Sequence, residues 1–182
     1  LYTNINLMQQ FDSQITGNVV IDDSASLNAP TVQFFVMSFC PFGQQAEAGL
    51  LPAYELLQDS IDFEPHYVIY SSENYAGNEE AYCLDNYCSM HGIKELMEDV
   101  RQLCIWKYDR NKWVDYVKAI NAGCSSKDVD TCWEGIAKGL DMSVESIKAC
   151  VQNEALDMLA AEYALNQEHG VRGSPTVLIN NV

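Results

Sequence analysis

From Thr31 to Phe39 the chain is a nearly continuous apolar run, and the run ends in Cys40-Pro41. A strand with no polar alternation has no face to give to water, so it belongs in the middle of a sheet with helices on both sides. Pro41 stops the strand and suits the first position of a helix, where the N–H that proline lacks would have no partner anyway. From Pro41 to about residue 59, Leu50, Leu51, Tyr54 and Leu57 fall on one helical stripe. Ile61 to Tyr70 then reads as a second strand, frayed near Pro65. Strand, helix and strand in this order form a β-α-β unit, which crosses over right-handed into a parallel pair.

This arrangement delivers Cys40 to the start of a helix, where unpaired N–H groups and the helix dipole favour the negative charge of a thiolate. Cys40 is therefore the candidate catalytic nucleophile. A dithiol oxidoreductase needs a second cysteine three residues on to resolve its mixed disulfide, and this chain has Gly43 there. The nucleophile comes without its resolving partner.

The seven cysteines divide into Cys40 and six others: Cys83, Cys88, Cys104, Cys124, Cys132 and Cys150. In a disulfide-permissive compartment six can form three structural bridges and one thiol is left free, the one already at a helix N-terminus. Six cysteines allow 15 pairings, and the sequence does not choose among them. The expected bridges are Cys83 with Cys88, Cys124 with Cys132, and Cys104 with Cys150. A zinc cluster of Cys83, Cys88, His91 and Cys104 is disfavoured because paired short C-x-x-C knuckles are missing, and no metal is expected. His66 and His169 read as structural or surface residues.

The 182-residue chain has 26 acidic residues against 10 basic ones, a net charge of −16. It would repel nucleic acid and anionic membranes, and it has no basic cluster to bind either. No apolar run approaches the roughly 18 residues of a membrane span. A start at Leu1 rather than Met reads as a mature or trimmed terminus.

Residues 1–16 show no periodicity and are expected to wrap the surface, while Gly17 to Asp22 reads as a short edge strand. Ser71 to Asn78 is polar and reads as a linker, after which the pattern is helical for some ninety residues. Ile93, Leu96, Met97, Val100, Leu103 and Cys104 share one face, and Trp113, Tyr116, Val117 and Ile120 mark another helix. Ser143 caps a helix over Val144 to Cys150. A longer one runs from about Asn153 to Gly170, and the chain then turns into a last short strand reaching Asn180. The expected organisation is 1–70 as the N-terminal segment and first half of the core, 71–152 as the helical insertion, and 153–182 as the second half of the core.

Strand, Cys40-Pro41, helix, strand, helical insertion, then Ser174-Pro175-Thr176 leading a strand resembles the thioredoxin superfamily in its DsbA-type form. The resemblance implies an α/β thioredoxin-like core of three to four strands, interrupted by a disulfide-stapled α-helical subdomain. It implies a cis Ser174-Pro175 bond, an isomer found in only about 5% of X-Pro bonds. It also makes Ser174, Pro175 and Thr176 the loop that grips substrate backbone beside Cys40. A complete core of this type has a further strand and helix after Asn180, so a missing C-terminal segment, a partner or the N-terminal segment is expected to cover the sheet edge.

Within the insertion, Cys88-Ser89-Met90-His91-Gly92-Ile93-Lys94-Glu95 followed by Cys104 resembles the C-Q-H-G-x-x-E-C signature of gamma-interferon-inducible lysosomal thiol reductases. It departs from that signature by one added residue before His91 and by Leu96 in place of the second cysteine. Val100 to Cys104, Trp113 to Val117 and Cys124 are similar to the central region of plant vacuolar sorting receptors, which bind cargo.

Together these resemblances imply an extracytoplasmic thiol-disulfide oxidoreductase or isomerase with one active-site cysteine and no cofactor. It would act on a protein or peptide thiol or disulfide, and an external thiol would resolve the mixed disulfide. The alternative is a redox-inactive binding or structural module that uses the same groove.

Overall fold

The computed structural model describes residues 29–182. The two expectations for residues 1–16 and for a strand at Gly17 to Asp22 lie outside the described residues.

The first sheet has the order β2-β1-β6, built from β1 (Thr31–Val36), β2 (Asp62–Tyr67) and β6 (Thr176–Ile179). β1 pairs parallel with β2, from Thr31 opposite Asp62 to Val36 opposite Tyr67, and antiparallel with β6, where Phe35 faces Thr176. Helix α1 (Pro41–Leu57) makes the crossover from β1 to β2. Because side chains alternate along a strand, the apolar run of β1 feeds two cores. Phe34 and Val36 enter the main core with Leu51, Phe63 and Trp113, while Phe35 and Met37 join Cys40, Val68 and Val171 in a smaller one on the other face. Cys40 is thus part of a packed cluster.

The expected linker after β2 is instead folded. β3 (Tyr70–Ser71), a 3-10 turn (Ser72–Tyr75), α2 (Glu79–Tyr82), β4 (Cys83–Leu84) and β5 (Tyr87–Cys88) form a second small sheet of order β3-β5-β4. Asp85 turns the hairpin with φ 54, a conformation that Asp tolerates better than most residues. The strands are two residues each, too short to show periodicity, and the Cys83–Cys88 disulfide ties them together.

Four helices complete the fold: α3 (Ile93–Tyr108), α4 (Arg110–Gly123), α5 (Val129–Gly139) and α6 (Val144–Glu168). Ser143 caps α6, its hydroxyl accepting from the Ser146 N–H at 3.2 Å. Two separate helices were expected from Val144 to Gly170, but α6 runs unbroken through Cys150 to Asn153. The Asn153 side chain donates to the Ala149 carbonyl one turn back at 2.8 Å, and the helix continues past it to Glu168. At the far end Gly170 takes φ 64, and the Val171 N–H closes back on the Asn166 carbonyl at 2.8 Å. Disulfides join Cys104 of α3 to Cys150 of α6, and Cys124 to Cys132 of α5. Cys40 is the one free cysteine. Among the described residues no helix is long and apolar enough to cross a membrane.

Candidate functional site

Cys40 occupies the N-cap of α1 with Pro41 at its first turn, and it is only 5% exposed. Its thiol donates to the Ser174 carbonyl at 3.6 Å. The Ser174–Pro175 peptide is cis. The Ser174 hydroxyl accepts from the Met37 N–H at 3.0 Å, and Thr176 Oγ1 donates to the Gly173 carbonyl at 2.9 Å. Pro175 is exposed while Ser174 and Thr176 are half-buried. The fold therefore brings Cys40 and the Ser174-Pro175-Thr176 loop together.

Position 43 is closed to a side chain. A Cβ there would lie 2.7 Å from Ser174 Oγ and 3.2 Å from the Met37 carbonyl oxygen. The Ser174 hydroxyl is bonded to the Met37 N–H, so a side chain at 43 must push that hydroxyl aside and break the bond that ties the loop to Met37.

Behind Cys40 stands a set of buried acids. Asp99 Oδ1 accepts from the Ser38 N–H at 3.0 Å and from its hydroxyl at 2.5 Å, and Glu95 Oε1 accepts from the Phe39 N–H at 2.8 Å. Glu95 also accepts from the Ser89 hydroxyl and, at 3.1 Å, from the His91 N–H, while His91 Nδ1 lies 2.9 Å from its carboxylate. The run Ser89 to Glu95 thus works as a clasp, in which α3 reaches under the sheet and holds the turn that presents Cys40. Glu95, Glu98 and Asp99 are all fully buried, whereas helical periodicity alone marked only the apolar residues of α3 as its inner face. Ser38 and Phe39, the partners of Asp99 and Glu95, lie some sixty positions earlier, so no local pattern pairs them. The available signal was the short spacing of Glu95, Glu98 and Asp99 beside Leu96 and Val100.

Burial sets the electrostatics here. Glu47 of α1 is pushed up to about 7 by desolvation, which outweighs the hydrogen bond from Asn121 Nδ2 at 2.5 Å. Burial, reinforced by the Glu95 charge, holds Asp99 well above the usual carboxylate range despite its bonds to Ser38. Glu98 is raised by burial too, against the opposing Arg101 guanidinium 2.7 Å away. Glu47 Oε1 and Asp99 Oδ2 find no hydrogen-bond partner.

His66 lies outside this set, stacked on Phe35 with its Nδ1 3.1 Å from Glu162. The Tyr70 hydroxyl donates to the Arg172 carbonyl at 3.1 Å, and burial together with the nearby Glu95 and Cys40 raises its pKa. Among the described residues no group of three or more His, Cys, Asp or Glu is placed to hold a metal ion, and Cys83, Cys88 and Cys104 are all bridged.

A central parallel strand pair, a cysteine at the following helix start, a proline loop against it and a helical insertion define a thioredoxin-like protein of the DsbA type. The fold is shared with the thiol-disulfide exchange protein alpha-DsbA2 of Wolbachia pipientis (TM-score 0.58, 14% identity, 98% of this chain and 83% of that one). It is shared also with oxidised BdbD of Bacillus subtilis (TM-score 0.60, 16% identity, 88% and 79%). Residues 52–182 match the vacuolar sorting receptor thioredoxin-like domain, and the chain belongs to that family. It is 30% identical over 181 residues to vacuolar-sorting receptor 5 of Arabidopsis thaliana, covering 81% of this chain and 27% of the receptor. It is 28% identical over 151 residues to vacuolar-sorting receptor 7 of the same plant, covering 65% and 24%. The chain therefore spans about a quarter of the length of the receptors it matches.

Proposed function

We propose that this domain is a thioredoxin-like binding module that holds peptide or protein along the Ser174-Pro175-Thr176 loop without turning over disulfides. One observation carries the reading: Cys40 is 5% exposed and its thiol donates to the Ser174 carbonyl, while the space a resolving cysteine would need at position 43 is taken by the Ser174 hydroxyl. Three bridges in the described residues and likeness to sorting receptors support an endomembrane-lumen or other extracytoplasmic setting.

The second reading, a monothiol exchange enzyme, draws on the placement of Cys40 at the start of α1. In that chemistry the Cys40 thiolate attacks one sulfur of a substrate disulfide and expels the other as a thiolate. An external thiol then attacks the mixed disulfide. At the substrate sulfur it forms a new disulfide with the substrate and releases the Cys40 thiolate. At the Cys40 sulfur it releases the substrate as a thiol and bonds to Cys40, which a second external thiol then frees, forming a disulfide of the two external thiols.

Alkylation of the native, unreduced protein at pH 7 separates the two. The binding module predicts Cys40 labelling at least a hundredfold slower than in the denatured chain. Labelling as fast as that of an unfolded cysteine would overturn it in favour of the enzyme.

A further inference from the structure

In a chain with 26 acidic and 10 basic residues, every cation has carboxylates to choose from. Six of the ten form ion pairs, Arg110 donates to the Phe63 carbonyl, and Lys112 donates to the carbonyls of Leu140 and Asp141. Lys127 and Arg172 are left. Lys127 is exposed on the loop before α5, far along the chain from the site. Arg172 is different. It is exposed, no carboxylate among the described residues pairs with it, and it stands two positions before Ser174 on the loop that covers Cys40.

Arg172 lines a cavity of about 380 Å³. Buried Ile69 and Val171 supply apolar surface, Tyr70 and Tyr163 supply rings, and exposed Asn74 and Gln167 add amide donors. Tyr70 packs against the small core that contains Cys40 and bonds the Arg172 carbonyl, so the cavity adjoins the groove. Glu73 is the one carboxylate in the lining, and it is exposed.

We infer that this cavity is a carboxylate-recognising subsite of the groove, with the Arg172 guanidinium as its anchor and the cavity taking the apolar part of the same residue. The inference rests on the peptide-binding reading above. A guanidinium fork matches a carboxylate with two parallel, charge-assisted bonds. Glu73 and the net charge of −16 select for one negative charge rather than several. The carboxylate comes from an Asp or Glu side chain or from a chain terminus, and both present the same group.

The test uses the immobilised domain and three mixtures of random heptapeptides, quantified by mass spectrometry. One mixture has free C-termini and no Asp or Glu; the second has amidated C-termini and one central Asp or Glu; the third is amidated with neither. Retention of the first or the second about tenfold above the third is expected, and it identifies the source. Arg172→Gln should erase the preference, and Arg172→Lys should keep part of it. Equal retention of all three, or a preference that survives Arg172→Gln, would overturn the subsite alone. Retention of none would overturn the subsite and the peptide-binding reading together.

Discussion

Glu47 shows how one buried carboxyl sets a pH response. In the unfolded chain it titrates at its ordinary 4.5, and in the fold it keeps its proton up to about pH 7. Between those values the unfolded state binds fewer protons than the native state, so stability falls as pH rises through this window and levels off above it. The full span amounts to about 3 kcal/mol. Asp99 and Glu98 are shifted the same way by burial. His66 adds to the trend: burial opposes its charge, but the Glu162 and Glu64 carboxylates prevail and raise it, so its stabilisation is complete below 6.5 and lost as pH climbs past its folded value. Asp128, Glu134 and Glu154 are lowered by bonds to Ser125, Lys148 and Lys107 and pull in the opposite direction, but they are exposed pairs that solvent screens. Thermal melts should therefore show a midpoint on the order of 5–10 °C higher at pH 5.5 than at pH 8. Glu47→Gln should match the parent at pH 5, exceed it at pH 8 and flatten the profile. An unchanged slope in that variant would assign the pH response to other groups.

At the scale of elements, what the sequence made legible and what it hid divide along contact range. β1, α1 and β2 could be read because each is long and uniformly patterned, and Ser143 marked the start of α6 through its own neighbour Ser146. The position of Cys40 at a helix start was legible because strand-to-helix punctuation is local, whereas the placement of Ser174-Pro175-Thr176 beside it came from the family resemblance. The small β3-β5-β4 sheet was not, because two-residue strands carry no period and are fixed by a hairpin turn and a disulfide. The acid clasp was hidden for a different reason: Glu95 and Asp99 look like solvent-facing residues until the fold brings Ser38 and Phe39 over them. The two bridges most different in reach make this picture testable. Cys83–Cys88 closes a separation of 5 residues within one hairpin, whereas Cys104–Cys150 closes 46 and ties α3, which carries the clasp, to α6. Loop-closure entropy assigns the first about 2 kcal/mol and the second about 4 kcal/mol. Urea unfolding of the two double-alanine variants should show the larger loss for Cys104 and Cys150, whose burial adds a packing loss of the same sign. A larger loss from the hairpin bridge would mean that the small sheet, rather than the α3–α6 contact, anchors the insertion.

Over the whole molecule the dominant electrostatic fact is imbalance. Acidic residues exceed basic ones by sixteen, and although Glu47, Glu95, Glu98 and Asp99 are buried, the exposed acids still outnumber the cations and repel one another. Exposed pairs such as Lys107 with Glu154 at 2.6 Å and Lys118 with Glu55 at 2.6 Å recover little, since each is worth about 0–1 kcal/mol. Salt acts on both effects in opposite directions: it weakens the pairs, and it screens the repulsion. At about 0.01 M ionic strength the screening length is about 30 Å, so charges across the whole domain feel one another, and at 0.15 M it is about 8 Å. The unpaired excess outnumbers the exposed pairs and acts over longer distances, so repulsion is the larger quantity and the more strongly screened. Raising sodium chloride from about 0.01 to 0.15 M at pH 8 should raise the thermal midpoint by roughly 2–4 °C, the shift that about 1 kcal/mol produces in a chain of this size. Most of the gain should come below 0.1 M, and sodium sulfate at equal ionic strength gives an upper bound because it also strengthens apolar burial. A midpoint that falls with added sodium chloride would show instead that the surface pairs outweigh the excess charge.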